Sequence, residues 1–346
     1  MKKLLIALKI LISAAILWYL ISKAVREDQF ASLRDNDKNW GWLLAAFVVI
    51  LLAHAISFIR WHYLARNLNL SLSMVDALKI GFVSQFFGLI AFGVVGSDSL
   101  RAYYVIRRSP GKKAYALASV FFDRVIGLLT MMACAGVGYW LNDWDLLKEK
   151  GPEKLVLALE SACLLLLWVS GLGLGGLAIA VTLPKRWLLL AYERSLRTPW
   201  IGGLISRMVN VLLLFREKKL GIVLAIGMSI VINFIFVVAI YWIALFAAGA
   251  QPTLSQHVTI APISMIANSA PLPLGLGGME AVLDLQYQAL SPVDTDNSGR
   301  TNMGVVVGFL FRILLLAVAA LGSLLWLTMS AAEKESLQVE QTKRKG

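Results

Sequence analysis

Six stretches of this chain stay apolar for as long as a helix needs to cross a lipid bilayer. A hydrocarbon core about 30 Å thick takes about 20 apolar residues in helical form. Leu4–Ser22, Trp40–Leu64, Ala114–Leu141, Leu155–Leu183, Leu220–Ala248 and Met303–Met329 meet that requirement. The expected fold is an all-α polytopic membrane protein, a single transmembrane domain over 1–330 with a short charged tail over 331–346. Only 16% of the residues are charged, against about a quarter in soluble domains, so no sizeable soluble domain is expected. The first stretch has two readings. Lys2 and Lys3 ahead of a short apolar run suit a signal peptide, whereas Lys9, Trp18 and Tyr19 suit a membrane anchor with an interfacial aromatic belt.

Loop charge orients the spans. The net charge is +12, and it sits between the apolar runs, where it reads as an orientation signal rather than a nucleic-acid surface. The stretch from Arg101 to Lys113 holds five basic residues and no acid, and Pro184–Lys219 holds eight against two. Both are expected on the cytoplasmic side. Asn142–Lys154 has three lysines and four acids, so it is expected outside. Both termini are then cytoplasmic. The count closes only if two further segments, around Gly81–Val95 and Val258–Leu290, enter the membrane and leave by the face they came from.

These two re-entrant segments echo each other. Gly93-Val-Val-Gly96-Ser-Asp98 and Gly275-Leu-Gly-Gly278-Met-Glu280 share the pattern G-x-x-G-x-acid at an offset of 182 residues. Arg124 and Arg312, each preceded by aromatics, recur at an offset of 188. Near-equal offsets point to an internal duplication, repeat one over about 40–141 and repeat two over about 220–330. An odd number of spans separates the copies, so they are expected to be inverted, as in many transporters.

Non-helical backbone at membrane depth needs a protein or water-filled surrounding, and glycines let the chain break there. Gly93, Gly96, Asn268, Pro271, Gly275 and Gly278 are the expected helix-break residues. Ser97 is expected to cap a new helix with Asp98 in its first turn. Its free N–H groups could then attract a lipid phosphate, with Arg101 as partner. Asp123, Arg124 and Arg312 fall about 15 Å into their helices, where a charge by default marks a site. Asp98, Arg101, Asp123, Arg124, Glu280 and Arg312 are therefore the candidate substrate-binding residues, and Asp284 extends the face of Glu280. The competing reading makes the charges structural, with Arg124–Glu280 and Arg312–Asp98 cross-linking the repeats. Asn268 and Ser264 are read as satisfying backbone groups freed by the nearby prolines, and Gly171 and Gly175 as sites of close helix packing. The stretch from Trp187 to Phe215 reads as an interfacial helix.

No cofactor is expected. The three histidines lack ligand spacing, and both cysteines, Cys134 and Cys163, sit in apolar runs. The segment "GLGLGG" lies within a span with no strand before it, which argues against a dinucleotide loop.

Three motifs carry a resemblance. "GVVGSDSLRAYYV", "ASVFFDRVIGLL" and "APISMIANSAPLPLGLGGMEAVL" resemble the flippase-like membrane region of lysylphosphatidylglycerol synthases, from about Trp40 to Met329. The resemblance implies movement of a lipid between leaflets of a bacterial cytoplasmic membrane. It carries over to Gly93, Gly96, Asp98, Arg101, Asp123, Arg124, Gly127, Asn268, Pro271, Gly275, Gly278 and Glu280. The chain departs from the family at Ser97, where glycine is frequent, and at Met279-Glu280, where an Arg-Glu pair is common. No aminoacyl-transfer domain follows the last span, so synthesis of a lysyl lipid is not expected. The leading expectation is a transporter of an anionic phospholipid or polyprenyl-phosphate lipid, with no nucleic acid as partner. The alternatives are an intramembrane glycosyl- or phosphotransferase and a non-transporting partner of a lipid-modifying enzyme.

Overall fold

The computed structural model describes residues 38–90, 94–187, 211–247, 252–269, 277–290 and 303–329, with 18, 22, 190 and 193 besides. The described residues are helical throughout, with no strand among them. Ten helices order the chain: α1 (Trp40–Asn67), α2 (Met74–Ile90), α3 (Val94–Arg108), α4 (Lys113–Leu141), α5 (Trp144–Lys150), α6 (Glu153–Thr182), α7 (Lys219–Ala247), α8 (Leu254–Asn268), α9 (Gly278–Leu290) and α10 (Met303–Thr328). Five of them, α1, α4, α6, α7 and α10, are long and apolar enough to cross a membrane. They match five of the six expected spans to within three residues at each end. The sixth, 4–22, lies almost wholly outside the described residues, as do the tail and most of the stretch from 187 to 215.

Between the spans, local chemistry starts and stops the short helices. Asp143 caps α5 by accepting from the Leu146 N–H. Thr253 and Gln256 form a reciprocal capping box at the start of α8, satisfying two N–H groups that would otherwise be orphaned. At the start of α2, Ser73 Oγ accepts from the Asp76 N–H and donates its own proton to the Asp76 carboxylate.

Helices α1–α4 and α7–α10 share one order: long, short, short, long. They also pack by one scheme. Each helix of a run lies against its sequence neighbour, α1 runs along α7, α2 lies against α10, and α8 lies against α4. The last two contacts exchange a short helix of one run for the closing long helix of the other. Small residues permit several of the close approaches. A Cβ on Gly322 of α10 would meet the backbone of Phe82 in α2, and one on Gly138 of α4 would meet Thr259 of α8. Helix α6 stands at the edge against α4, with Leu165, Trp168, Leu172 and Ile179 facing outward. Large exposed apolar side chains on a peripheral span are what a lipid-facing surface presents.

Three expectations need correcting here. Gly171 and Gly175 have open space where a side chain would go, and the close packing of this region falls instead to Gly173 against Leu129 and Gly136 against Leu167. Gly81 lies in the middle of α2 rather than at the edge of a re-entrant turn, because the apolar run continues to Ile90 without a helix breaker. That helix ends at Ile90 and α3 begins at Val94, and Gly93 is outside the described residues. Gly96 sits inside the first turn of α3. Ser97 therefore does not cap that helix, and Asp98 is its fifth residue rather than part of its opening turn. Helix α8 ends at Asn268 and Gly278 opens α9, with Pro271 and Gly275 outside the described residues.

Candidate functional site

Each closing long helix carries an arginine near mid-membrane depth, and each arginine meets an acid on the short helix that precedes it. Arg124 is the twelfth residue of α4 and Arg312 the tenth of α10, about 15–18 Å along at 1.5 Å per residue. In the first run Arg124 grips Asp98 as a fork: Nε donates to Oδ1 and Oδ2 at 3.0 and 2.8 Å, and Nη2 donates to Oδ1 at 2.6 Å. Planar guanidinium and carboxylate are matched in this geometry, which an ammonium cannot reproduce.

The second run repeats the pairing with more support. Nε and Nη2 of Arg312 donate to Glu280 Oε1 at 3.2 and 3.0 Å, and Nη1 donates to Asn268 Oδ1 at 3.0 Å. The other oxygen of Glu280 accepts from the Gly277 N–H at 3.0 Å. Glu280 thereby closes the start of α9 and holds the arginine at once. Gly277 takes φ +89° at that turn, a conformation open to glycine at little cost. Gly304 and Gly308 let α10 approach so closely that an added Cβ would meet the backbone of Asp284 and the side chain of Glu280.

The expected cross-links are overturned. Arg124 pairs with Asp98 rather than Glu280, and Arg312 with Glu280 rather than Asp98. The reason is topological: each arginine sits on the helix packed against its own short partner. Asn268, expected to serve freed backbone groups, accepts from Arg312 through its side chain. Ser264 accepts from Gln286. Asp284, one turn after Glu280, is buried and accepts from Gln288.

The two pairs differ in exposure. The Arg124 and Asp98 side chains are 41% and 20% accessible, whereas those of Arg312 and Glu280 are 9% and 0%. One half of the molecule thus presents its pair openly while the other encloses it.

A third cluster lies beside the first pair. Asp123, adjacent to Arg124 but about 100° round the helix, is buried and points toward α1. Arg60 meets it there, with Nε 2.8 Å from Oδ1 and Nη2 3.2 Å from the Asp123 carbonyl. Arg60 Nη1 donates to Ser229 Oγ of α7 at 2.6 Å, so this arginine ties the two runs together. Gly127 leaves the guanidinium room, since a Cβ there would sit 3.3 Å from both terminal nitrogens. Arg101 comes within 3.9 Å of Asp123 Oδ2 and donates through Nε to Ser84 Oγ at 3.0 Å. It does not pair with Asp98 one turn earlier. Ser97 instead donates to Ser84 at 3.1 Å.

Arg60 is the residue that sequence reasoning missed. A signal existed: it interrupts the apolar run "AHAISFIRWHYLA", and an arginine in a span needs a partner. It stands four residues before the end of the expected span at Leu64, where a long cationic side chain can equally reach the water-facing end.

His257 is spent locally. His257 Nδ1 lies 2.9 Å from the Thr253 carbonyl, to which it donates, and Nε2 lies 2.8 Å from the Tyr287 hydroxyl. Both cysteines are free thiols. A polar recess between Arg66, Ser71, Ser73, Asp76 and Arg108 lies at the ends of α1 and α3, away from the three clusters.

The sequence model of a family described as the lysylphosphatidylglycerol synthase TM region matches residues 6–299. No curated protein and no solved structure matches the chain.

Proposed function

Because this chain belongs to the lysylphosphatidylglycerol synthase transmembrane-region family, we propose that it is a flippase-like transporter of an anionic phospholipid or polyprenyl-phosphate lipid. Membership makes it a multi-pass membrane protein associated with lipid modification, and the family's membrane region is the non-catalytic part of the synthases. The observation that carries the transport reading is the recurrence of one arginine–acid pair in two four-helix runs of the same order and packing. We read the runs as inverted copies. Each pair then forms a half-site that a lipid phosphate enters by competing for the guanidinium. The difference in exposure supports alternating access, with the first half-site open while the second is closed.

The test is reconstitution with fluorescent phosphatidylglycerol, following leaflet transfer and the chemical identity of the lipid together. Transfer with the lipid unaltered is expected, and a converted lipid would favour an intramembrane transferase instead. Arg124→Lys should slow transfer by at least tenfold, because losing one charge-assisted hydrogen bond is worth about 1.5–3 kcal/mol. It should still accumulate as a monodisperse protein, since its partner Asp98 is not deeply buried. Normal transfer by this variant would leave the arginine pairs with only a structural role.

Orientation belongs to the same reading. With both termini in the cytoplasm, a cysteine at Arg107 should label only from inside and one at Asp294 only from outside, in a background lacking Cys134 and Cys163. Labelling of both positions from one side removes the inversion on which alternating access depends.

A further inference from the structure

The three clusters are not electrically equivalent. In the first run, Arg60, Arg101 and Arg124 face Asp98 and Asp123, three cations against two anions. Arg124 is satisfied by Asp98. Arg60 is satisfied by Asp123 through a side-chain and a main-chain oxygen and by Ser229. What remains is Arg101. It is 2% exposed, and its only hydrogen bond among the described residues runs from Nε to Ser84. Ser84 already gives its proton to the Gly81 carbonyl and accepts from Ser97, so it offers the guanidinium no further oxygen lone pair of consequence. The central carbon of the Arg101 guanidinium lies 4.9 and 5.7 Å from the ring centres of Phe58 and Trp61, whose faces attract a cation but offer no hydrogen-bonding oxygen. The nearest carboxylate oxygen, at 3.9 Å, is beyond hydrogen-bond reach.

The second run has nothing similar among its described residues. Beyond Lys219, its four helices carry one guanidinium or ammonium group, Arg312, and Glu280 and Asn268 take it up. The position of Asp123 is filled there by Phe311, fully buried in the apolar core.

A nearly enclosed guanidinium with four N–H donors that no acceptor among the described residues meets is expensive within a membrane and points to an anion that completes it. Resting on the transport reading, we propose that Arg101 is the phosphate anchor of the lipid path. The anchor exists in the first run only, and Arg60 is a positioning residue that keeps it available by occupying Asp123. Without Arg60, Asp123 turns to Arg101 and quenches it. The ligand class is a phosphate-bearing lipid headgroup, which reaches Arg101 past Asp98 and Arg124, the partly exposed pair one turn away on α3 and across on α4.

The test uses the full chain in discs of phosphatidylcholine, with phosphatidylglycerol or inorganic phosphate as the added probe. The readout is the unfolding temperature, which a ligand of the native state raises. The unsubstituted protein should rise with phosphatidylglycerol and not with inorganic phosphate. Arg101→Met should start from a higher unfolding temperature without lipid, because a burdensome charge is gone, and should show no rise. Arg60→Met should need at least tenfold more phosphatidylglycerol for the same rise, and Arg60→Met/Asp123→Asn should recover the response. A purely structural Arg101 predicts the opposite sign for Arg101→Met, a lowered unfolding temperature or no folded protein, and that result overturns the proposal. So does an unchanged response in Arg60→Met or a double variant that fails to recover. A rise with inorganic phosphate alone also overturns it, since the site would then serve a soluble anion. Leaflet transfer measured on the same protein separates the two readings. Transfer without an Arg101-dependent rise removes the anchor and leaves transport. A rise without transfer leaves the anchor and removes transport.

Discussion

Asp123→Leu is expected to cost the protein most of its stability and to leave little monodisperse material after extraction. The substituted carboxylate is 1% accessible, and it is the partner of Arg60, at 6%, and the nearest anion to Arg101, at 2%. Removing one member of a buried pair costs about 3–5 kcal/mol, because the abandoned charge keeps its desolvation penalty and loses its compensation. Arg60 loses the carboxylate to which it is hydrogen-bonded, and Arg101 loses its nearest anion, 3.9 Å away, so the loss falls toward the upper end of that range. Such a loss is comparable with the whole margin of about 5–15 kcal/mol that holds a typical domain folded. The control is Asp123→Leu combined with Arg60→Met. An apolar pair of similar volume in place of a buried ion pair is often neutral, so the double variant should accumulate far better than the single one. Equal failure of both would mean that packing around Asp123, rather than charge, sets the cost.

The second large effect is a difference between two equivalent substitutions. Arg312→Leu strands Glu280, which is fully buried, and should cost about 3–5 kcal/mol. Arg124→Leu strands Asp98, which is 20% accessible beside an arginine that is itself 41% accessible, and solvent screening brings the cost to about 1 kcal/mol. Unfolding temperatures of the two variants should therefore separate widely, while both lose lipid transfer. Adding Glu280→Gln to Arg312→Leu should return most of the stability and none of the transfer. If the two single variants unfold at the same temperature, the pairs are equally enclosed in the bilayer, and the open and closed half-sites are not distinct.

The transmembrane architecture was legible because it depends on quantities that run along the chain. Five spans appear where the apolar runs place them, since a helix satisfies its own backbone and only length and hydropathy decide whether it crosses. The recurrence of acid and arginine at near-equal offsets also identified Asp98, Arg124, Glu280 and Arg312, which the fold brings together two by two. The partners themselves were not legible. Opposite charges at mid-membrane depth must pair, but which ones do is decided by the helices that touch. Here α3 packs on α4 and α9 on α10, so pairing stays within each run and the expected cross-links do not form.

Arg60 shows the same limit from the other side. In sequence it lies far from Asp123 and close to a helix end, and only the packing of α1 beside α4 and α7 converts it into the partner of Asp123 and Ser229. The glycines follow suit: Gly171 and Gly175 share a helix with Gly173, yet only Gly173 meets a neighbouring side chain. Periodicity tells which residues share a face, and it is silent on what that face meets. Composition and spacing determined that this chain crosses the membrane and where it carries charge. Tertiary packing decided which charges are neutralised and that Arg101, among the described residues, keeps donors to spare, because a side chain's partner is set by distance across helices, which no order along the chain encodes.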